Sequence, residues 1–486
     1  MRLFSLLGEN QKGSAKPGED REITGLSADS RSIRPGFLFA ALQGSKQDGR
    51  AFIRQAIDAG AAAVLGPPDL LHDTLATDIP VITDPNPRRQ LARMAARFYS
   101  AQPRTIAAVT GTNGKTSVAY FTQQLWNALK HPAASLGTLG VRGPGLAGGA
   151  SLTTPDPIEL HRVLASLKQQ GIDHLAMEAS SHGLSQFRLD GVQVRAAAFT
   201  NLTRDHLDYH GDMAGYRAAK RRLFNELQPE RGIAILKAES PEFGTLRGVA
   251  EDRNQQVVSF GLRSGNVSCL SAVPSDAGWQ LHLRVLGETF TAHFPVPGEF
   301  QVANLLCALA IVVACGDKAG AAAAQIPRLT GVPGRLELAA RLENGASVLV
   351  DYAHTPDALS AVLTTVRPHV RGRLGVVFGC GGDRDRGKRP EMGRIAAERA
   401  DFVIVTDDNP RSEKPAEIRR AIMDACPDAL EIGDRRAAIA AAMGELSAGD
   451  VLVLAGKGHE EGQIVGDEIL PFNDAEVARA IAGGPA

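Results

Sequence analysis

The run Val109-Thr110-Gly111-Thr112-Asn113-Gly114-Lys115-Thr116-Ser117 constrains this chain more than any other stretch. It joins an apolar strand-like segment, Thr105 to Val109, to a helix-like one from Val118 to about Lys130. At such a junction glycines let backbone N–H groups approach a polyphosphate, a lysine supplies a point charge for its outer oxygens, and the following hydroxyl can ligand Mg²⁺. The position five before Gly114 is Val109, where the longer loop of motor and switch NTPases has glycine. Nucleotide binding is therefore expected without membership of those families, and an ordinary glycine-rich turn stays open on these residues alone.

The alternation around the loop sets the fold class. Strand-like runs at Ile172 to Met177, Ala196 to Thr200 and Ile233 to Leu236 are separated by helical patterns, which argues an α/β chain with a mostly parallel sheet. From about Gln255 to Phe294 the pattern becomes alternating, as in Gln280-Leu281-His282-Leu283-Arg284-Val285, and suits an antiparallel addition; Asn304 to Val313 reads as a buried helix. With 486 residues the chain exceeds one ordinary core, and composition shifts near Pro103 and Gly331 divide it into three expected domains. These are a small N-terminal α/β domain (1–102), a central P-loop-type ATPase domain (103–330) and a C-terminal Rossmann-like domain (331–486).

In the last of these, three apolar strands end in chemistry. Leu374 to Phe378 runs into Gly379 to Arg384, Phe402 to Val405 into Asp407-Asp408-Asn409-Pro410-Arg411, and Val451 to Leu454 into Gly456-Lys457-Gly458-His459-Glu460. Ligands of open α/β sheets bind outside the carboxyl ends of strands, so a second site is expected there. The Ala-rich tracts, Ala321 to Ala324 and Ala437 to Ala442, read as tightly packed helices.

Bulk properties exclude several classes. A formal net charge of -1 from 53 Lys and Arg against 54 Asp and Glu gives no electrostatic reason to expect nucleic acid or an anionic membrane as partner. No apolar stretch approaches the ~20 residues of a membrane span. Five scattered cysteines without a C-x-x-C pair point to a reduced, cytoplasmic compartment.

In the central domain Glu178 closes one strand-like run, and His206 follows another within Thr200 to His210. A carboxylate, an imidazole and the Thr116 hydroxyl could gather Mg²⁺ around phosphate oxygens. Taken singly, each of these reads as structural, His206 more so than Glu178.

The set as a whole resembles the Mur ligases. The resemblance spans essentially the whole chain and rests on Gly111 to Ser117, Thr153-Thr154-Pro155, Glu178 to Gly183, Asn201 to Gly211, Gly298 to Asn304, Gly334-Arg335, Asp351 to Pro356, Gly379 to Arg384, Asp408 to Arg411 and Gly456 to Glu460. It implies an ATP-dependent, ADP-forming amide ligase of peptidoglycan precursor synthesis, serving cell-wall formation, cell shape and division. ATP phosphorylates a carboxylate, and an amine then attacks the acyl phosphate. The implied catalytic residues are Lys115, His206 and Lys220, and the implied ATP contacts are Gly111, Thr112, Asn113, Gly114, Lys115, Thr116 and Ser117 with Asn304, Arg335 and Asp351. One Mg²⁺ falls to Thr116 and Glu178, a second to His206 and Lys220, the lysine carrying a CO₂-derived carbamate. Without the family, Lys220 among Arg217, Arg221 and Arg222 reads as a surface helix lysine, and Asn304 as a buried residue satisfying backbone groups.

The implied acceptor is UDP-N-acetylmuramoyl-L-alanyl-D-glutamate. Ser30 is placed near the uridine, Ser45, Lys46 and Gln47 near the diphosphate, and Thr153, Thr154, Ser180, Gln186 and Arg188 along the sugar and peptide. The amino acid added is read from Asp408, Asn409, Pro410 and Arg411 with Arg384, Gly456 and Glu460. The planar guanidinium of Arg411 suits a carboxylate, and meso-2,6-diaminopimelate has a distal carboxylate that L-lysine lacks. Asn before Pro at a strand exit is also a common helix start. Only these small molecules are expected as partners of a monomer. The alternatives are a lysine-adding or folylpolyglutamate-type ligase, a regulatory NTPase switch, and a scaffold that has lost activity.

Overall fold

The computed structural model describes residues 1–8, 20–44, 47–70, 78–148, 152–203, 205–275 and 278–483. Ser45 and Lys46 lie outside them. The chain divides into two compact units, residues 1–266 with 307–318 and residues 267–306 with 319–486.

The first unit opens with a four-stranded sheet of β1 (Gly25–Ser27), β2 (Phe37–Ala40), β3 (Ala63–Gly66) and β4 (Val81–Thr83), paired in parallel in that order. Helix Pro87–Tyr99 buries Leu91, Met94 and Ala95 in the same core. After Pro103 come β5 (Thr105–Thr110), β6 (Ala133–Gly137), β7 (Gly140–Gly143), β8 (Leu146–Gly148), β9 (His174–Glu178), β10 (Val194–Phe199), β11 (Ile233–Lys237) and β12 (Gln256–Gly261). Their order is β12-β11-β10-β5-β9-β6-β7-β8. The pairs from β12 to β6 are parallel, and β7 and β8 are antiparallel additions.

Composition explains this placement. Ile106, Ala107, Ala108 and Val109 are all fully buried, as expected of a parallel strand covered on both faces. Helix Lys115–Ala128 buries Val118, Phe121, Leu125 and Trp126, a spacing that makes one apolar stripe. The helix begins at Lys115 rather than Val118, so Lys115 and Thr116 belong to its first turn.

The second unit contains β13 (Val267–Ser275), β14 (Gly278–Val285) and β15 (Glu288–Phe294), an antiparallel meander. Along Gln280 to Val285 of β14 exposed and buried residues alternate, as a sheet with one wet face requires. The expected antiparallel segment from Gln255 therefore starts late: residues 256–261 form β12, which pairs in parallel with β11 and buries Val258 and Phe260. The unit continues with β16 (Arg335–Arg341), β17 (Ser347–Asp351), β18 (Leu374–Phe378), β19 (Phe402–Val405), β20 (Leu430–Glu431) and β21 (Val451–Ala455). Their order is β16-β17-β21-β18-β19-β20, parallel except for the antiparallel edge β16. A hairpin of β22 (Gly462–Val465) and β23 (Glu468–Pro471) follows.

Candidate active site

Three neighbouring strands bring the first site together. β5 lies between β9 and β10, with Val109 opposite Glu178 and Thr110 opposite Phe199. Their carboxyl ends therefore place the phosphate loop between Glu178 and Thr200-Asn201, as open α/β sheets place ligands. Gly111 has φ +149, and a Cβ there would strike the Thr200 hydroxyl. Asn113 N–H donates to Asn201 Oδ1 at 2.9 Å, and Thr200 Oγ1 donates to Asn113 O at 2.6 Å. The helix start at Gly114, φ 87, has no side-chain cap, so its backbone N–H groups are suited to an anion.

Lys115 Nζ donates to Gly111 O at 2.9 Å and to Thr112 O at 2.7 Å. Lys220 Nζ donates to the same Gly111 carbonyl at 2.7 Å. The surface reading of Lys220 is overturned: it is 2% exposed, and its ammonium sits 4.4 Å from the centre of the Tyr216 ring. Burial, reinforced by Lys115, pushes its pKa down to about 6, against a weaker opposing pull from Asp205. Tyr216 is itself held through its hydroxyl, 3.2 Å from Thr112 Oγ1. His206 is exposed, with φ 51, and its ring lies 4.9 Å from that of His182 and 6.2 Å from that of Tyr216.

Glu178 is 2% exposed and accepts from Thr138 N–H at 2.8 Å and Thr138 Oγ1 at 3.3 Å. Thr138 Oγ1 lies 3.1 Å from Thr153 Oγ1, and Thr154 Oγ1 donates to Glu178 O at 3.0 Å. Ser180 N–H donates to Thr154 Oγ1, while its own Oγ caps a short helix by accepting from Gly183 N–H. Arg188 donates to Thr154 O at 2.6 Å and to Gln186 Oε1. Thr153, Thr154, Ser180, Gln186 and Arg188 thus form one connected group reaching Glu178.

That group continues into a cavity of about 460 Å³ within the first unit. Gln186 and Arg188 line it together with Ser27, Asp29, Arg88 and Asp156. Ser30 does not line it. Its hydroxyl donates to Gln55 Oε1 at 3.0 Å and is mostly buried, because the turn that follows Asp29 points Ser30 inward. Ser27, Asp29, Arg88 and Asp156 went unread in the sequence. Asp156 was hidden by its role as a helix cap, since its carboxylate accepts from Ile158 and Glu159 N–H. Gln47 is exposed, and its carbonyl accepts from Gly44 N–H.

The residues proposed for ATP from the second unit are strongly engaged locally. Asn304 donates to Gln301 Oε1 at 2.9 Å, a side chain rather than the backbone group the sequence left open. Asp351 accepts from Leu336 N–H at 2.8 Å and Ala353 N–H at 2.9 Å. Its burial raises its pKa to about 6 despite nearby Arg335 and those two bonds. The Arg335 guanidinium lies 4.9 Å from the Tyr352 ring centre. Gly334, with φ +67, leaves no room for a Cβ against the backbone of Gly458 and His459.

In the same unit the ends of β18, β19 and β21 converge. Arg411, φ 50, donates through Nη1 to Gly382 O at 2.9 Å, and its backbone bonds Ile464 O and Gly466 N–H of the following hairpin. Asn409 donates to Glu460 Oε2 at 2.9 Å and accepts from Lys457 Nζ and Ile464 N–H, so its side chain is a junction within the loop. Asp408 is 7% exposed, and its Oδ1 has no hydrogen-bond partner. Pro410 and Gly456 are buried and Arg384 is exposed. Lys457 stands inside a motif quoted from the sequence but was assigned no part; a lysine at the end of an all-apolar strand was the available signal.

Magnesium chemistry asks for oxygen donors. Among the described residues no three His, Cys, Asp or Glu side chains gather as a metal cluster. Thr116 and the buried carboxylate of Glu178 fit one such ion, and Lys220 fits only with its nitrogen converted to an oxygen-bearing group.

Three family models match successive segments: "Mur ligase family, catalytic domain" over residues 22–99, "Mur ligase middle domain" over 109–312 and "Mur ligase, glutamate ligase domain" over 334–458. A protein of Bradyrhizobium diazoefficiens named UDP-N-acetylmuramoyl-L-alanyl-D-glutamate--2,6-diaminopimelate ligase is 52% identical over 487 residues, covering 99% of each chain. A Brucella melitensis protein of the same name is 52% identical, covering 99% of this chain and 98% of that one. A solved structure titled with that enzyme name has a TM-score of 0.74 at 33% identity, covering 95% of both chains. By segment models, full-length identity and fold together, the chain belongs to the Mur ligase family.

Proposed function

We propose that this protein is the ADP-forming ligase that joins meso-2,6-diaminopimelate to UDP-N-acetylmuramoyl-L-alanyl-D-glutamate, using ATP, in peptidoglycan precursor synthesis. The observation that carries the ligase reading is the burial of Lys220 against the phosphate-loop carbonyl of Gly111. A switch that only binds and hydrolyses nucleotide has no evident use for a second, buried lysine at that carbonyl.

In this reading the loop N–H groups and Lys115 hold the terminal phosphates of ATP and offset the repulsion between two anions. A carboxylate oxygen of the acceptor forms a bond to the γ-phosphorus while the bond to the bridging oxygen breaks, releasing ADP. The amine of diaminopimelate then attacks the acyl carbon, and phosphate leaves. Thr153, Thr154, Ser180, Gln186 and Arg188 orient the acceptor, and the 460 Å³ cavity receives its distal part. Thr116 with Glu178 would hold one Mg²⁺ and His206 with a carbamate on Lys220 a second, and these ions would supply charge neutralisation at the phosphate oxygens. Asn304, Arg335 and Asp351 belong to the nucleotide in the same reading, and exclusion of water protects the acyl phosphate.

Arg411, Arg384, Asp408 and Asn409 with Gly456 and Glu460 take the amino acid. The anchored Nη1 of Arg411 orients its fork for the distal carboxylate, and Glu460 receives the distal ammonium. Lysine lacks that carboxylate, so binding it leaves the guanidinium unmatched. Acceptor-dependent ADP release is therefore expected with meso-diaminopimelate and at most weakly with L-lysine. Equal rates with both would remove the assignment of the amino acid. Arg411→Ala is expected to raise KM for diaminopimelate about a hundredfold and to leave KM for ATP within a few fold. Unchanged amino acid kinetics would overturn the role of Arg411.

A further inference from the structure

Lys457 is entirely buried, yet each polar partner of its ammonium belongs to the amino acid site. Nζ donates to Asn409 Oδ1 at 3.0 Å and to Glu460 Oε2 at 3.2 Å, and lies 3.6 Å from Asp408 Oδ1. A buried ammonium is costly unless paired, and it carries three donors with no acceptor. These three contacts hold it where solvent cannot. The loop geometry depends on it in turn. Lys457 and Ile464 N–H both donate to Asn409 Oδ1, which turns Asn409 Nδ2 toward Glu460 Oε2 at 2.9 Å. Glu460 is thereby gripped through one carboxylate oxygen by two donors.

Charge gives the cluster a selective property. Within ion-pairing distance two carboxylates, Asp408 and Glu460, face one ammonium, while the buried Arg435 is paired with Asp474 at 2.7 Å and the guanidiniums of Arg411 and Arg384 are matched to the carboxylate of the amino acid. These three side chains, Lys457, Asp408 and Glu460, carry one net negative charge among them. That balance fits one incoming ammonium, and Asp408 Oδ1, 3.6 Å from Lys457 Nζ but accepting no hydrogen bond, is an acceptor already in place.

We propose that Lys457 is a positioning residue that sets this single negative charge and fixes the carboxylate of Glu460, making the site select an amino acid bearing a second, distal ammonium. This rests on the reading of the site as the one for diaminopimelate. Without the lysine, two carboxylates face each other with no counter-charge and Asn409 loses one of the two donors that orient it.

The test compares meso-diaminopimelate with 2-aminopimelate, which keeps both carboxylates and lacks the distal amine, as substrates of the full-length wild type, Lys457→Met and Lys457→Gln. Wild type is expected to prefer diaminopimelate strongly in kcat/KM. Both variants are expected to lose about a hundredfold of that preference, mostly through KM for diaminopimelate, with KM for ATP nearly unchanged. A merely structural role would lower both substrates together and leave the ratio intact. If Lys457→Met does not fold, Lys457→Gln, which keeps a donor, carries the comparison. Wild-type preference retained in a folded variant overturns the role of Lys457, whereas a wild type that releases no ADP with diaminopimelate overturns the underlying site reading.

Discussion

Lys220→Ala is expected to lower ligase activity by about a thousandfold or more while leaving the fold intact. The amine is surrounded by Tyr216 and the Gly111 carbonyl and is 2% exposed. With its pKa pushed down to about 6, it is largely uncharged at neutral pH. An uncharged buried amine can add to CO₂: nitrogen forms a bond to carbon, a proton leaves, and a carboxylate-like group results. An uncharged amine thus becomes an anion beside a phosphate loop that already holds Lys115. Short carboxylic acids such as acetate or propionate are expected to restore part of the activity of Lys220→Ala by occupying the same volume with the same charge. Full activity in that variant, or no recovery with any short acid, would remove the carbamate from the account. Thermal unfolding of the variant separates this from a loss of fold.

The second large effect is on stability. Arg435 and Asp474 are both fully buried and joined by two bonds of 2.7 Å. Arg435 also donates to Ala455 O at 3.0 Å and Asp407 O at 3.4 Å, so one guanidinium ties the ends of β21 and β19. Asp474→Ala leaves that cation buried without its counter-charge, which costs about 3–5 kcal/mol. For a unit of this size that corresponds to a fall in Tm of about 10 °C or more. Replacing both partners, Arg435→Met with Asp474→Leu, is expected to recover most of the loss, because apolar groups of similar volume need no compensation. Denaturant unfolding of the single and double variants checks this. A single variant within about 1 kcal/mol of wild type would show that the pair contributes little.

How much of this could be read beforehand depends on the kind of residue. Covered strands announce themselves, because Ile106 to Val109, Leu374 to Phe378 and Val451 to Leu454 are continuous apolar runs, and parallel strands are apolar on both faces. The phosphate loop was legible because its chemistry is local, within nine consecutive residues. Lys220 was not legible from residues alone. Its helix carries Arg217, Arg221 and Arg222, a pattern that looks solvated, yet Arg222 is also buried, bonded to Asp190 at 2.7 Å and stacked 4.1 Å from the Phe187 ring centre. A long-range partner reverses the local signal. Arg435 and Asp474 are hidden for the same reason, being 39 residues apart. Ser30 illustrates the limit on loops: a motif position fixes a neighbourhood, but a turn of three residues decides whether Ser27 and Asp29 or Ser30 faces the cavity.

Gly334 fixes one further property of the molecule. Its left-handed backbone stands so close to Gly458 and His459 that even a methyl group has no place, and Tyr352 N–H donates to its carbonyl at 2.9 Å. The linker ahead of β16 and the loop after β21 therefore share a surface with no atoms to spare. Whatever shape the loop takes around an amine, the linker must take a matching one. A vacant hydrogen, not a functional group, is what makes that strip of backbone a gear tooth.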